Sequence, residues 1–239
     1  MKYRFSCRAI AFLTLITIIL ASLCGCGRAA WLRDLPEFYD AAYSEVNEGE
    51  PFFKEREITD ESFEFYSPLD TLGRCGVAFA CIGIDLMPTE DRGDIGNVTP
   101  SGWERNGVSN NNSYDFVEGK YVYNRCHLIG FQLAGENDNE RNLITGTRYM
   151  NIEGMLPFEN LVADYVEDTK NHVMYRVTPI FKGMNLVADG VLMEAFSVED
   201  DGEGICFCIF AYNVQPGVYI NYFTGMNRAD EAHSQKEDE

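Results

Sequence analysis

The sequence predicts an α+β fold with a mainly antiparallel β-sheet core, a ββα excursion and peripheral helices. The last third of the chain contains four segments rich in apolar and β-branched residues, which short turns separate. These segments cover residues 173–181, 186–196, 205–212 and 218–222, and their pattern is typical of strands linked by hairpins. An earlier region, residues 121–166, combines strand-like and helix-like patterns. This separation of strands from helices favours the α+β class.

The central part of the chain supplies a buried strand and the ββα excursion. The short apolar run over residues 75–82 is typical of a buried strand. Tyr121-Val122-Tyr123 has the aromatic and β-branched content that favours another strand. Apolar residues then recur with helical spacing over residues 152–166. Pro157 interrupts them, so we expect either a kink or the first turn of a second helix there.

The length of the chain predicts one domain with terminal extensions. At 239 residues, of which 46% are hydrophobic, it can bury a full core. We expect the globular domain over residues 66–226 and an acidic polar tail over residues 227–239. Residues 26–65 are expected to form an acidic linker with a peripheral helix around residues 37–46. Nothing in the sequence indicates an oligomer, and we expect a monomer.

The N-terminus, residues 1–25, has the pattern of an export signal. Three basic residues precede an apolar run over residues 9–23, which is short for a membrane span. Leu23-Cys24-Gly25-Cys26 resembles the bacterial lipobox, and Cys26 would then carry lipid on the extracellular face of the cell membrane. Ordinary cleavage with release of the protein, or retention of an uncleaved anchor, stays open. In each case we expect an exported protein.

Five cysteines lie beyond Cys26, and none belongs to a C-x-x-C pair. They are Cys75, Cys81, Cys126, Cys206 and Cys208. This spacing argues against a structural zinc site. Disulfides occur in exported proteins, but their connectivity does not follow from a sequence. We therefore predict no specific bridge.

The candidate chemistry is concentrated around His127. Of the three histidines in the chain, only His127 lies within a polar cluster, Tyr123-Asn124-Arg125-Cys126-His127. Asn151 follows 24 residues later, which is enough for a strand end, a loop, a second strand and the start of a helix. A neutral imidazole can accept a proton near neutral pH, and an amide oxygen suits Mg²⁺. These groups, with nearby arginines, are the parts of a phosphodiester-cleaving site.

The segment Asn124-Arg125-Cys126-His127 resembles a variant of the Asp-Arg-Gly-His signature of the DNA/RNA non-specific endonuclease family. The chain is similar above all to the secreted bacterial DNases of that family, whose site is a ββα-metal finger. Similar segments extend from about Leu72 to the final strands, which covers most of the expected domain. Asn124 in place of Asp and Cys126 in place of Gly are the departures from the signature.

The resemblance implies a role for each residue of the cluster. His127 would be the general base, and Asn151 the direct protein ligand of Mg²⁺, with Mn²⁺ as a substitute. Arg125 would share the catalytic site, and Arg148 would contact substrate phosphate. Three residues would hold the water molecules around the metal: Asn124, Asn142 and Glu159.

The function implied is that of an exported, Mg-dependent, non-specific endonuclease that hydrolyses DNA and leaves 5′-phosphate ends, with RNA as a further substrate left open. A second hypothesis is a surface lipoprotein with a degenerate nuclease scaffold that binds nucleic acid or a partner without cleavage. A thiol hydrolase using Cys126 and His127 is disfavoured, because adjacent residues of a strand point to opposite faces.

The net charge of −19 opposes the binding of a polyanion. Many of the carboxylates, however, lie in residues 37–64 and 230–239, away from the cluster. The region of the cluster carries four cations: Lys120, Arg125, Arg141 and Arg148. A bound divalent cation would further offset phosphate charge. We therefore expect the local charge around the cluster, and not the net charge of the chain, to determine whether the protein binds a polyanion.

A second segment, Asp91-Arg92-Gly93-Asp94, superficially resembles the same signature. Its fourth residue is an aspartate and offers no imidazole base. We interpret this segment as a loop that resembles the signature by coincidence.

Overall fold

A six-stranded antiparallel sheet forms the centre of the protein. The computed structural model describes Leu35 and residues 37–231. The predicted signal over residues 1–25, the predicted lipid carrier Cys26 and the end of the predicted tail lie outside the described residues. Within the part that is described, no helix has the length and apolar character needed to cross a membrane.

Twelve strands are present in the described residues. They are β1 Tyr43–Glu45, β2 Phe63–Tyr66, β3 Ala78–Ile82, β4 Glu104–Arg105, β5 Val108–Ser109, β6 Tyr123–His127, β7 Leu143–Thr147, β8 Val173–Ile180, β9 Gly190–Ser197, β10 Cys206–Tyr212, β11 Val218–Ile220 and β12 Asn227–Ala229. Two α-helices accompany them, α1 Phe131–Ala134 and α2 Leu156–Thr169. A π-helical turn, Met150–Met155, leads directly into α2. Short 3₁₀ turns lie at Asn47–Gly49 and Glu55–Glu57.

The strand order of the main sheet is β1-β10-β9-β8-β3-β2, with every neighbouring pair antiparallel. The predicted meander over the last third is therefore confirmed for β8, β9 and β10. The strand expected around residues 218–222 is present, but β11 pairs with β12 and not with the main sheet. Residues 227–229, which we expected in an acidic tail, form that partner strand.

One face of the sheet packs against α2. Side chains alternate along a strand, so Val173, Tyr175 and Val177 of β8 all enter the same core. Val162 and Val166 of α2 pack into this core from the helix side. The sheet and the separate helix on its face confirm the α+β class.

The opposite face of the sheet is covered by residues 46–62, a segment that we call the strap. The backbone N–H of Phe52 donates to the buried Glu194, 2.8 Å away, and the ring of Phe53 stacks on Phe79. Arg176 lies beneath, paired with Glu194 at 2.7 Å and with Glu57 at 3.5 Å. The strap therefore belongs to the folded domain.

One prediction about this N-terminal region is wrong, because the residues around 37–46 contain strand β1 and not a helix. The main sheet also extends before residue 66, the expected start of the domain, since β2 begins at Phe63. The acidic composition of the region masked its apolar residues. These include Phe53 and Phe63, which pack against Phe79 of the sheet.

The ββα excursion consists of the β6–β7 hairpin, the π-helical turn and α2. Tyr123 pairs with Thr147 and His127 with Leu143, so the hairpin is antiparallel and in register throughout. Pro157 lies in the first turn of α2, one of the two outcomes expected for it. Since Pro157 lacks an N–H and its ring would crowd the carbonyl of Glu153, it accounts for the wide turn that precedes the helix.

Candidate active site

A cleft of about 790 Å³ lies where β6, the π-helical turn and α2 meet. Six of the seven predicted site residues line it: Asn124, Arg125, His127, Arg148, Asn151 and Glu159. Arg92, Trp103 and Tyr121 complete much of the remaining wall. The ββα excursion thus brings the expected base and the expected metal ligand to one surface.

The tautomer of His127 follows from its hydrogen bonds. Its Nε2 lies 2.7 Å from the carbonyl oxygen of Asn137, and a carbonyl can only accept, so Nε2 carries the proton. In the neutral ring, Nδ1 then holds the lone pair, which accepts a long hydrogen bond of 3.4 Å from Arg92 Nη2. Burial lowers the pKa of His127, the hydrogen bond to Asn137 opposes this shift, and the charge of Arg92 lowers the pKa further. The imidazole is therefore neutral and basic at Nδ1 at physiological pH.

Arg92 lines the cleft, and the sequence analysis did not predict it as a site residue. Its Nη2 lies 3.4 Å from His127 Nδ1. The backbone N–H of Gly93 donates to the Asn137 side chain at 3.1 Å, which ties this loop to the residue that orients the imidazole. The absence of a histidine at position 94 correctly excluded a base there. The arginine of the same segment was the signal that pointed to the cleft.

Asn151 lies in the π-helical turn, an element often found at functional sites. The turn is fixed at its start, where the N–H of Met150 donates to Thr147 Oγ1 at 3.0 Å. The thiol of Cys126 donates to Asn151 Oδ1 at 2.9 Å. The amide oxygen is thus oriented from β6, the strand that carries His127.

Glu159 is a nearly buried carboxyl group at the inner end of the cleft. Burial raises its pKa to about 7, and the charge of Arg92 opposes this shift. The carboxyl group lies against the backbone of Gly130, where a Cβ would be 2.7 Å from Oε2. Behind it, the hydroxyl of Tyr175 is fully buried without a hydrogen-bond partner.

Arg125 lines the cleft, but two of its guanidinium N–H groups bind backbone carbonyls of the protein. Its Nε donates to the carbonyl of Val98 at 2.5 Å, and Nη2 donates to that of Gly96 at 3.0 Å. The group also stacks over Trp103, with 4.3 Å to the ring centroid. Arg125 therefore fixes the wall of the cleft and presents its remaining N–H groups from a rigid position.

Arg148 makes fewer contacts with protein partners than Arg125 does. Its Nε is buried without a hydrogen-bond partner, and its contact with the exposed Glu118 is a long 4.0 Å. Gly119 packs closely against the guanidinium, since a Cβ there would lie 2.9 Å from Nε. The side chain is held at the cleft with donors to spare, as an anion-binding arginine requires.

Asn142 does not reach the cleft, which corrects its expected place beside the metal. The side chain is fully buried; it accepts from the N–H of Ile129 at 2.9 Å and donates to the carbonyl of Ile129 at 3.0 Å. Both functions of the amide are thereby used. Asn142 fixes the segment that follows β6 and has no lone pair directed at the cleft.

The geometry opposes catalysis by a Cys126 nucleophile. The Cys126 side chain is fully buried, and burial together with the charge of Glu159 raises the pKa of its thiol. All five cysteines in the described part of the chain are free thiols.

A comparison with protein families identifies the family of this chain. The family model of the DNA/RNA non-specific endonucleases matches residues 54–199. The chain belongs to the DNA/RNA non-specific endonuclease family. The endonuclease assignment agrees with the resemblance that its signature segment suggested. A comparison with curated proteins found no significant match.

Solved structures of nucleases share the fold of this endonuclease. A structure described as Sda1 nuclease with a bound zinc ion is 26% identical, with a TM-score of 0.67, and the match covers 79% of this chain and 97% of that one. NucA from Streptococcus agalactiae, with a magnesium ion bound, is 24% identical, with a TM-score of 0.69, and the match covers 82% and 90% of the two chains.

The side chains of the endonuclease site suit a hydrated divalent cation. No cluster of three or more histidine, cysteine or acidic side chains that could hold a metal occurs in the described residues. A neutral amide oxygen and a nearby carboxyl group instead match an ion that keeps most of its water, as Mg²⁺ does. Glu159 lines the cleft with a raised pKa, and a nearby cation would favour its charged form.

Proposed function

We propose that this endonuclease hydrolyses DNA phosphodiester bonds without sequence specificity, with His127 as the general base and Asn151 as the direct protein ligand of Mg²⁺ or Mn²⁺. RNA stays a further candidate substrate. The observation that carries the proposal is the placement of His127 and Asn151 on one cleft, with the lone pair of His127 at Nδ1.

His127 would remove the proton from the attacking water at Nδ1, once Arg92 exchanges its contact with this nitrogen for one with a phosphate oxygen. The bond from Nε2 to the Asn137 carbonyl stabilises the imidazolium that results, because the carbonyl dipole favours the charged ring. Cleavage with departure of the 3′ oxygen leaves a 5′-phosphate end. A positioned general base contributes about 10²–10⁴-fold to such a reaction.

Asn151 and Glu159 would hold the metal end of the site, Asn151 by its amide oxygen and Glu159 through water. When bound, the metal supplies positive charge that stabilises the transition state and the leaving group. Arg92 and Arg148 would bind phosphate oxygens, and the rigid Arg125 would keep the wall against which the backbone lies. The set contains phosphate contacts and no obvious base reader, which supports low sequence specificity.

Export, as a signal-bearing lipoprotein linked through Cys26 or as a released protein, is part of the proposal. The basic and apolar pattern of residues 1–25 supports it. The monomeric state is proposed as well. The mass of the mature N-terminus would distinguish lipidation from release.

The test is cleavage of plasmid DNA with Mg²⁺, followed by addition of EDTA. We expect wild-type activity to stop with EDTA, and His127→Ala and Asn151→Ala each to lose several orders of magnitude. His172→Ala is the matched control, because His172 pairs with Glu199 at 2.6 Å and does not line the cleft. Binding of DNA without cleavage under any divalent metal would favour the degenerate-scaffold hypothesis instead.

A further inference from the structure

Cys126 occupies the position where the family signature has glycine, and its thiol contacts the predicted metal ligand. The shortest contact of the sulfur is to Asn151 Oδ1, at 2.9 Å. Its other contacts are to Met155 Sδ at 3.5 Å and to the backbone oxygen of His127 at 3.7 Å. Asn151 and Met155 both belong to the π-helical turn, so the thiol links that turn to the strand of the general base.

The opposite strand provides the space for this thiol. A Cβ at Gly146 would lie 2.6 Å from Cys126 Cβ and 3.2 Å from its sulfur, closer than packed atoms allow. Gly146 therefore leaves a slot that the larger residue at position 126 fills. The filled slot directs the sulfur towards Asn151.

A buried polar group without a partner lies near this contact. The hydroxyl of Tyr175 is fully buried and unpartnered, and the charges of Cys126 and Glu159 act on it, so these groups are close together. A buried hydroxyl without a partner is rare in native proteins, because the loss of its hydrogen bonds to water is not repaid. Tyr175 does not itself line the cleft, so it is an unsatisfied polar group behind Glu159.

We propose that Cys126 is a positioning residue for metal binding: its S–H donates to one lone pair of Asn151 Oδ1 and thereby holds the other towards the metal. The inference rests on the proposed function of Asn151. An amide oxygen has two lone pairs, so the two interactions are compatible. Without the donor, the amide rotates among alternatives, and each metal-binding event must first select the productive one.

The experiment measures Mn²⁺ binding by titration calorimetry on the full chain, without DNA. We expect Cys126→Ala to bind Mn²⁺ about fivefold to tenfold more weakly, as for the loss of one hydrogen bond to a metal ligand. Cys126→Ser keeps a donor and should stay within about twofold of the wild type. At saturating Mn²⁺, cleavage by Cys126→Ala should recover most of the wild-type kcat.

Cys75→Ala is the matched control. Cys75 lies in the same core, and its thiol donates to backbone carbonyls, with 3.2 Å to that of Leu143. A merely structural thiol would give equal losses of thermal stability in both alanine variants and leave Mn²⁺ affinity unchanged. Wild-type affinity in Cys126→Ala would overturn the inference, and so would an equal loss of affinity in Cys126→Ser. Failure of the wild type itself to bind Mn²⁺, or undiminished binding by Asn151→Ala, would instead overturn the proposed function.

Discussion

A single carbonyl determines how His127 can act. Because the oxygen of Asn137 accepts from Nε2, the basic lone pair is at Nδ1, and Arg92 is the charged group nearest to it. The sequence predicted the base but not its tautomer, since Asn137 lies ten positions away in a loop. Arg92 was not predicted, because its segment has Asp94 where the signature has the histidine base. A sequence thus predicts individual site residues more easily than the contacts that set their tautomer and pKa.

Glu159 makes the stability of the metal-free protein depend on pH. Its pKa is raised by burial from 4.5 to about 7, so the folded state keeps a proton that the unfolded chain loses. Stability should therefore fall as pH rises from about 4.5 through 7, by up to about 3 kcal/mol. Glu159→Gln should remove this dependence, measured by urea unfolding in EDTA at pH 4.5 and pH 8. Glu167→Gln, on the exposed part of the same helix, should retain it; parallel pH dependence in wild type and Glu159→Gln would contradict the assignment.

At the scale of the element, the β6–β7 hairpin and the π-helical turn together hold His127 and Asn151 on one cleft. The sequence predicted the strand, the helix and the effect of Pro157, because those signals are local. The π-helical turn itself was not predicted. It depends on contacts with distant residues, such as the bond from the N–H of Tyr149 to Gln215 at 3.1 Å. Spacing alone could place Asn151 near the base but not orient its amide.

The element scale also gives Asn142 its role. Asn142→Ala should destabilise the protein by about 2–3 kcal/mol, because it leaves both the N–H and the carbonyl of Ile129 unpaired in the interior. Mn²⁺ affinity of the folded variant should stay within about twofold of the wild type, since the Asn142 side chain is fully buried and does not line the cleft. Thermal unfolding and calorimetry check the two parts. Asn97→Ala, at an exposed position, should change neither, and a selective loss of metal affinity in Asn142→Ala would restore the role first expected for it.

At the scale of the whole molecule, charge is separated in space. The chain carries a net charge of −19, yet three arginines line the cleft: Arg92, Arg125 and Arg148. The sequence located two of these three cations, and their meeting in one place is a property of the fold. Buried Glu194, in contrast, neutralises Arg176 on the other face of the sheet. The charge at the cleft is therefore set by the local arrangement of the arginines and not by the overall composition of the chain.

Salt dependence of DNA binding reports on that arrangement. With about three phosphate contacts, the slope of log K against log salt should lie between about −2 and −3. Arg148→Ala should make it shallower by about 1, measured by fluorescence anisotropy on the His127→Ala background to prevent cleavage. Arg74→Ala is the control, because Arg74 pairs with Asp70 at 2.7 Å and lies outside the cleft. An unchanged slope in Arg148→Ala would exclude it from phosphate binding.

The strap sets the true extent of the domain. A chain that begins at residue 66 lacks the strap, β1 and nearly all of β2, and should lose cooperative unfolding because Phe79, Arg176 and Glu194 are then uncovered. A chain that begins at residue 38 should unfold like the full protein. Circular dichroism during urea titration compares the two. Equal stability of both chains would show that the boundary at residue 66, expected from composition, was adequate after all.

The position of β1 has a consequence for biosynthesis. Ser44 contacts Tyr212 across a sequence separation of 168, so β1, the first strand of the described residues, can pair only after β10 has been synthesised. Hairpins β8–β9 and β9–β10 close locally and quickly, whereas this pairing closes late and slowly. During translation the nascent N-terminal region therefore stays unpaired along that edge, the condition in which a chain can still be threaded through a translocation channel.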